Sequence, residues 1–404
     1  MTQYANIEVV DEAKAARKRE PPGGIEQREA MKKVVVLAII ALASVSCGSQ
    51  KEKIDRTVEN GVEVIRNKLE PFSTRSIPKM PRVEKKVLLD FQSAEITKLG
   101  IADIRGFDVD SEGNIYISVY SGDYCIYRFS PDGNFVSSFA RKGEGPGEMP
   151  VAKCLAVNEN DEIVVFDTAK KKLVVFSLHG RVLREIPTPA RMTRVNAFGG
   201  AGFLISAAVP GGRSPFYYWV NLSLYNLQME EIKRLERLKI PNGPGTSYWL
   251  TWKGKIYVGS EGRGYEIWVY DQNGNLVSKI KKEYRPIDVP AEIRAPWKQT
   301  IEQLKQAGGK AEDVKVPEHW PPFMAFFVDD EGRLFVRTFE EGQVKGEYIH
   351  DVFNPNGVFI GRIALDLGFS REREYAKAKN GKIYGFSEKE AGYEQFSVYQ
   401  MRWD

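Results

Sequence analysis

Three histidines, three cysteines and 54 carboxylates are the groups through which this chain of 404 residues could bind a metal or build a nucleophile. His179 falls in a Leu-His-Gly-Arg turn, His319 stands beside Trp320 ahead of a double proline, and His350 lies inside an apolar alternation. No His-x-x-x-His or Cys-x-x-Cys spacing occurs, so no motif sets two zinc ligands on one face. Calcium needs only oxygen ligands. The acids available for it, such as Asp110, Asp132 and Asp329, sit in glycine-containing turns. There a short carboxylate is explained by bonding to its own turn. No Gly-x-Ser-x-Gly elbow is present. The stretch KGEGPGE, Lys142 to Glu148, lacks the Lys-Ser/Thr of a phosphate loop and contains Pro146. Its glycines are read as a tight crossing between sheets.

What remains is a set of cations and aromatics at the entrances to predicted strands: Arg105, Lys153, Arg194, Tyr248, Trp249, Trp320 and Arg373. Guanidinium, ammonium and flat aromatic faces together suit an anionic or sugar-like ligand. These seven are the candidate ligand-binding residues. No catalytic residue and no metal ligand is nominated.

The address of the protein is written in MKKVVVLAIIALASVSCGSQ, residues 31–50. Lys32 and Lys33 precede an uncharged run from Val34 to Ser46, which ends in small residues before Cys47. Basic, apolar and then small is the layout of a secretory signal. The run is shorter than the roughly 20 residues of a membrane-spanning helix. A cysteine directly after the small residues resembles the lipobox of bacterial lipoproteins, in which that cysteine is acylated. Cys47 is therefore the expected lipid anchor, residues 31–46 the signal peptide, and the bacterial cell envelope the location, with the protein facing the periplasm or the exterior. Residues 1–30 are charged and lack an apolar period, and are read as lying upstream of the true start at Met31.

Removing residues 1–46 takes away seven Lys/Arg and six Asp/Glu, leaving 51 against 48. Such a balance gives no basic surface for nucleic acid. With only Cys125 and Cys154 beyond Cys47, disulfides do not supply the stability. Residues 47–84 have a tether composition, with a hairpin signal at Asn60-Gly61.

From Phe107 onward the chain repeats one unit of four short strands, each bounded by Gly, Asp or Pro. The signature turn falls at Gly113, Glu162, Gly202, Gly254, Gly332 and Gly381. Spacing of roughly 40–50 residues is the blade size of a β-propeller. The fold expected for 85–404 is all-β: a six-bladed β-propeller of four-stranded antiparallel blades. The last unit lacks its fourth strand. Lys85 to Phe91 is a strand without partners of its own, so it is predicted to close the ring and remove its open edges. One insertion, about 291–309, has helical composition with Trp297, Ile301 and Leu304 on one face. It is read as a cap on the propeller, or as one wall of a ligand site.

The Asp-x-x-Gly-Asn/Lys/Arg-Ile/Leu-Tyr/Phe turns, the Phe-x-Pro-Asp/Asn-Gly turns and KGEGPGE resemble the NHL-type six-bladed β-propeller lipoproteins of bacteria. The resemblance runs from Val87 to the end and implies the fold more than an activity. Related folds include lyases with zinc histidines and lactonases with calcium carboxylates. The leading expectation is an envelope-anchored protein that binds a ligand or protein partner without catalysis and without a cofactor. A calcium-dependent hydrolase or lyase, with its site at the channel mouth, is the alternative.

Overall fold

The computed structural model describes residues 54–72, 80–145, 147–189, 191–198, 202–213, 217–241, 247–306, 316–368, 375–388 and 394–403. The signal segment, Cys47 and Arg373 lie outside the described residues. Six sheets follow one another along the chain. Blade 1 comprises β4 (Ile104–Val109), β5 (Ile115–Val119), β6 (Tyr124–Phe129) and β7 (Phe135–Arg141). Blade 2 has β8 (Ala152–Val157), β9 (Glu162–Asp167), β10 (Lys172–Ser177) and β11 (Val182–Pro187). Blade 3 has β12 (Met192–Phe198), β13 (Gly202–Arg213), β14 (Tyr217–Tyr225) and β15 (Glu231–Pro241). Blade 4 has β16 (Ser247–Trp252), β17 (Lys255–Ser260), β18 (Glu266–Tyr270) and β19 (Leu276–Lys282). Blade 5 has β20 (Ala325–Val328), β21 (Leu334–Glu341), β22 (Tyr348–Phe353) and β23 (Phe359–Leu365). Blade 6 has β24 (Ala376–Lys379), β25 (Lys382–Glu388), β26 (Glu394–Arg402) and the early strand β3 (Arg82–Asp90). The six-bladed propeller expected from the repeat is thus the fold. Its N-terminal strand closes the ring, with Gln395 opposite Asp90 and Arg402 opposite Arg82.

The turns explain why these residues make short strands. Asp110 accepts the N–H groups of Glu112 and Asn114 on one carboxylate oxygen, while Gly113 takes φ +88. Asn158, Asn226, Asp271, Asp329 and Asn354 repeat the same pair of bonds. An Asx side chain that satisfies the turn backbone reverses the chain at that point. Between turns, alternate residues pack against the next blade on either side. Phe107 of blade 1, for example, meets Phe386 and Phe396 of blade 6 edge-on at 5.4 and 5.0 Å.

Consecutive first strands contact one another around the axis, so each is the innermost strand of its blade. Their C-terminal turns are bonded to each other. Asp161 accepts the backbone N–H and the hydroxyl of Ser111, and Asn380 donates to Ser111 O. Gly381 N donates to Asp330 Oδ2, and Lys253 Nζ to Asp330 O. Just inside, buried Asp108 accepts from Val157 N at 2.9 Å and pairs with Lys377 Nζ at 3.0 Å. One carboxylate thereby joins blades 1, 2 and 6.

The segment expected as a tether is in large part bound to the ring. A hairpin of β1 (Asp55–Glu59) and β2 (Val62–Asn67), turning at Asn60-Gly61, adds to blade 4 by parallel pairing of β2 with β19. Asn67 makes the clasp: its Nδ2 donates to Lys281 O and Gly357 O, and its Oδ1 accepts from Phe359 N. Phe72 N then bonds to Phe359 O. Tether composition reports polarity, and an added edge strand is polar too because its outer side faces water.

Two helices are described: the single-turn α1 (Ala94–Thr97), and α2 (Ala291–Gln306) in the long connection from blade 4 to blade 5. In α2, Ile301 is buried and packs with Trp297, Val316 and Tyr217. Tyr217 begins β14, so α2 seats on blade 3. The three longest strands of one blade are also in blade 3, with 12, 9 and 11 residues.

Candidate functional site

The two ends of the channel differ. At one end the turns are knitted as described. The opposite end is framed by the N-terminal ends of the six innermost strands, and five of the seven sequence-selected residues lie on those strands. Arg105 lies in β4, Lys153 in β8, Arg194 in β12, and Tyr248 with Trp249 in β16. Arg373 precedes β24 outside the described residues. Trp320 sits off the strand entrances: its ring stacks on Phe339 at 4.6 Å and its backbone N–H donates to Ile287 O, which fastens the connection to blade 5.

Three of the strand entrances are bulged. The pairing register slips between Ile104 and Gly106, between Lys153 and Ala156, and between Met192 and Arg194. A bulge turns a side chain out of its regular alternation and is common next to binding sites. In blade 2 the bulge includes Cys154 at φ +54, a left-handed backbone that costs a residue with a Cβ about 1 kcal/mol. The three bulges coincide with the three cations. Lys153 has no side-chain partner among the described residues. Arg105 lies 5.3 Å from the Tyr120 ring. Arg194 lies 5.5 Å from the rings of both Tyr248 and Trp249. Beside it, Thr193 and Ser206 share a hydroxyl hydrogen bond of 2.7 Å.

The other half of the ring is aromatic. Tyr248 packs edge-on against Phe326 at 5.0 Å. Tyr375 is buried and its hydroxyl donates to His350 Nε2 at 2.6 Å, while His350 Nδ1–H donates to Tyr348 O at 2.8 Å. Burial and the nearby Arg337 guanidinium push the His350 pKa down to about 3, so the imidazole is neutral. Arg337 itself is buried, 3.8 Å from the Tyr348 ring and 5.8 Å from Tyr375. Sequence reading passed over Arg337 and Tyr375 as candidates. The available signal was a charged residue amid the apolar alternation of LFVRTF.

Metal chemistry has little to build on among the described residues, where no group of three or more His, Cys, Asp or Glu is placed to hold an ion. His319 pairs with Asp288 at 2.8 Å on the surface, and His179 lies 3.1 Å from Arg128. Cys125 and Cys154 are not joined in a disulfide; the Cys125 thiol lies 3.3 Å from Met149 O and the Cys154 thiol 3.9 Å from Thr193 O. KGEGPGE folds onto its own acid: Gly145 N donates to Glu148 Oε2 at 3.0 Å, so the loop serves as an inter-blade crossing.

Comparison with known proteins supports the architecture. The family DUF5128, described as a 6-bladed beta-propeller, matches residues 107–203. No curated protein matches the chain. A protein of Bacteroides fragilis described as exported superposes with TM-score 0.50 and 12% identity, over 84% of this chain and 99% of that one. Gluconolactonase of Xanthomonas campestris gives TM-score 0.45 at 12% identity, over 81% of this chain and 97% of that one. Virginiamycin B lyase of Staphylococcus aureus gives 0.42 at 10% identity, over 80% and 100%. These likenesses concern the fold alone.

Proposed function

We propose that this protein is an envelope lipoprotein of the NHL type, anchored through Cys47, whose propeller binds an anionic or sugar-like ligand at the open channel mouth without transforming it. The supporting observation is the asymmetry of the channel. One end is bonded turn to turn. The other gathers Arg105, Lys153 and Arg194 on bulged strands opposite buried aromatics. Cations held over aromatic faces recognise anions without needing a nucleophile or a proton relay.

Two measurements test this reading. Metabolic labelling with a clickable fatty acid is expected to mark the wild type and not Cys47→Ser; equal labelling of both overturns the anchor. Thermal-shift titration of the purified propeller with a panel of acidic and neutral sugars is expected to raise Tm with an acidic member. A flat response across the panel overturns the mouth as a ligand site. Calcium bound in one-to-one stoichiometry after purification would instead favour the hydrolase or lyase alternative.

A further inference from the structure

The seam between blades 3 and 4 holds two buried polar atoms that no described residue satisfies. The Trp249 indole N–H is buried, and no acceptor among the described residues reaches it. Asn196 Oδ1 is buried and no described donor reaches it. Leaving such a group without a partner costs about 1–3 kcal/mol, so each occurrence needs a physical reason.

The register shows that both atoms belong to one place. From Arg194 to Phe198 the pairing of β12 with β13 is regular, so Arg194, Asn196 and Phe198 project to the same side. That side is blade 4: Phe198 shares a core cluster with Trp249, and Arg194 lies over the Trp249 ring. Thr251 Oγ1 donates to Ala197 O at 3.0 Å and holds β16 against β12 at this level. The seam therefore presents a guanidinium, an indole N–H donor and an amide oxygen acceptor side by side, next to the Tyr248 ring.

We propose that this seam anchors a sugar acid. Its carboxylate faces Arg194, one ligand oxygen accepts from Trp249 Nε1–H, and an adjacent hydroxyl donates to Asn196 Oδ1. The donor set distinguishes this class from simpler ligands. An inorganic anion without a proton to give cannot donate to Asn196 Oδ1. A neutral sugar can satisfy both orphaned atoms but gains nothing from the guanidinium charge. A ring bearing both a carboxylate and hydroxyls uses all three groups. The inference rests on the mouth being a ligand site and adds the ligand's class and its point of attachment.

Isothermal titration with D-galacturonate tests it, with D-galactose and acetate as controls. Galacturonate is expected to bind at least tenfold more tightly than either control. Trp249→Phe keeps the ring and removes the N–H, and Asn196→Ala removes the acceptor. Each is expected to weaken galacturonate about tenfold, the loss of one hydrogen bond to a ligand. The Tm of each unliganded variant is expected to stay at or above that of the wild type, because an unsatisfied buried group is removed. A purely structural role for the two residues would instead lower Tm and leave affinity unchanged. If galacturonate binding is lost in Lys153→Gln but untouched in Trp249→Phe and Asn196→Ala, the mouth binds and the seam assignment is wrong. No binding of galacturonate to the wild type overturns the sugar-acid assignment, while the wider sugar panel decides separately on the mouth.

Discussion

His350 offers a direct test of how tightly blades 5 and 6 are closed around the mouth. The imidazole is buried, accepts a hydrogen bond from Tyr375 and is held neutral by burial and by Arg337, with a pKa pushed down to about 3 from 6.5. In the unfolded chain it titrates near 6.5. A depressed folded pKa contributes stability that is complete above the unfolded value and is lost as pH falls toward the folded one. Between these limits the unfolded state binds one proton that the native state does not. The slope is then about 1.4 kcal/mol per pH unit, and the whole effect about 5 kcal/mol. From pH 7 to pH 4.5 the share lost is about 2.5 kcal/mol. Carboxylates titrate over part of the same range, so the measurement is a difference. His350→Gln keeps an acceptor for the Tyr375 hydroxyl and cannot titrate. Urea unfolding followed by tryptophan fluorescence gives the stability of both proteins at each pH. The wild type is expected to lose about 2.5 kcal/mol more than the variant between pH 7 and 4.5. Parallel curves would refute the assignment of a neutral, sealed imidazole, as would an imidazole proton resonance that titrates near 6.5 in the native state.

Three further outcomes follow from the ring's fastenings. Asp108→Ala removes the acceptor for Val157 N and one partner of Lys377; it is expected to cost about 2–4 kcal/mol in urea unfolding, and Asp108→Ala with Lys377→Met less than the two single changes added. Asn67→Ala removes three hydrogen bonds between the N-terminal hairpin and blades 4 and 5, and limited proteolysis is expected to cut within residues 54–72 before any blade is attacked. A chain that begins at residue 91 lacks β3 and leaves β26 as an unpaired edge; light scattering is expected to show concentration-dependent association that the full ring does not undergo.

The fold was legible because its punctuation is local. An Asp or Asn followed by Gly carries its own turn geometry, so the strand boundaries and the count of six units could be read without any knowledge of packing. The closing strand was legible by bookkeeping, since one unit lacked a strand and one strand lacked a unit. The hairpin on blade 4 was half legible. Asn60-Gly61 announced the turn, but nothing local showed that Asn67 would bond to Gly357 and Phe359, some 290 residues away. The mouth shows the same division. Arg105, Lys153 and Arg194 were visible as cations at strand entrances. Their bulges depend on pairing with the second strand of each blade, which no single segment encodes.

What composition conceals most is a polar side chain placed among apolar ones for its contacts. His350 reads as a strand residue and Arg337 carries no sequence signal beyond a charge in an apolar alternation, yet both are buried where blades 5 and 6 meet. A buried histidine whose two nitrogens are both bonded orients its partners, and here the partner is Tyr375, the residue that leads into the innermost strand of blade 6. Across the ring, Arg194 performs the converse task, as a charge supported by Tyr248 and Trp249. At the closed end the buried carboxylates Asp108, Asp110 and Asp329 are bonded instead to turn backbone and to neighbouring blades. Polar residues are also buried at the strand-entrance end, at a cost in desolvation. On the proposed reading of the mouth as a ligand site, ligand contacts offset that cost.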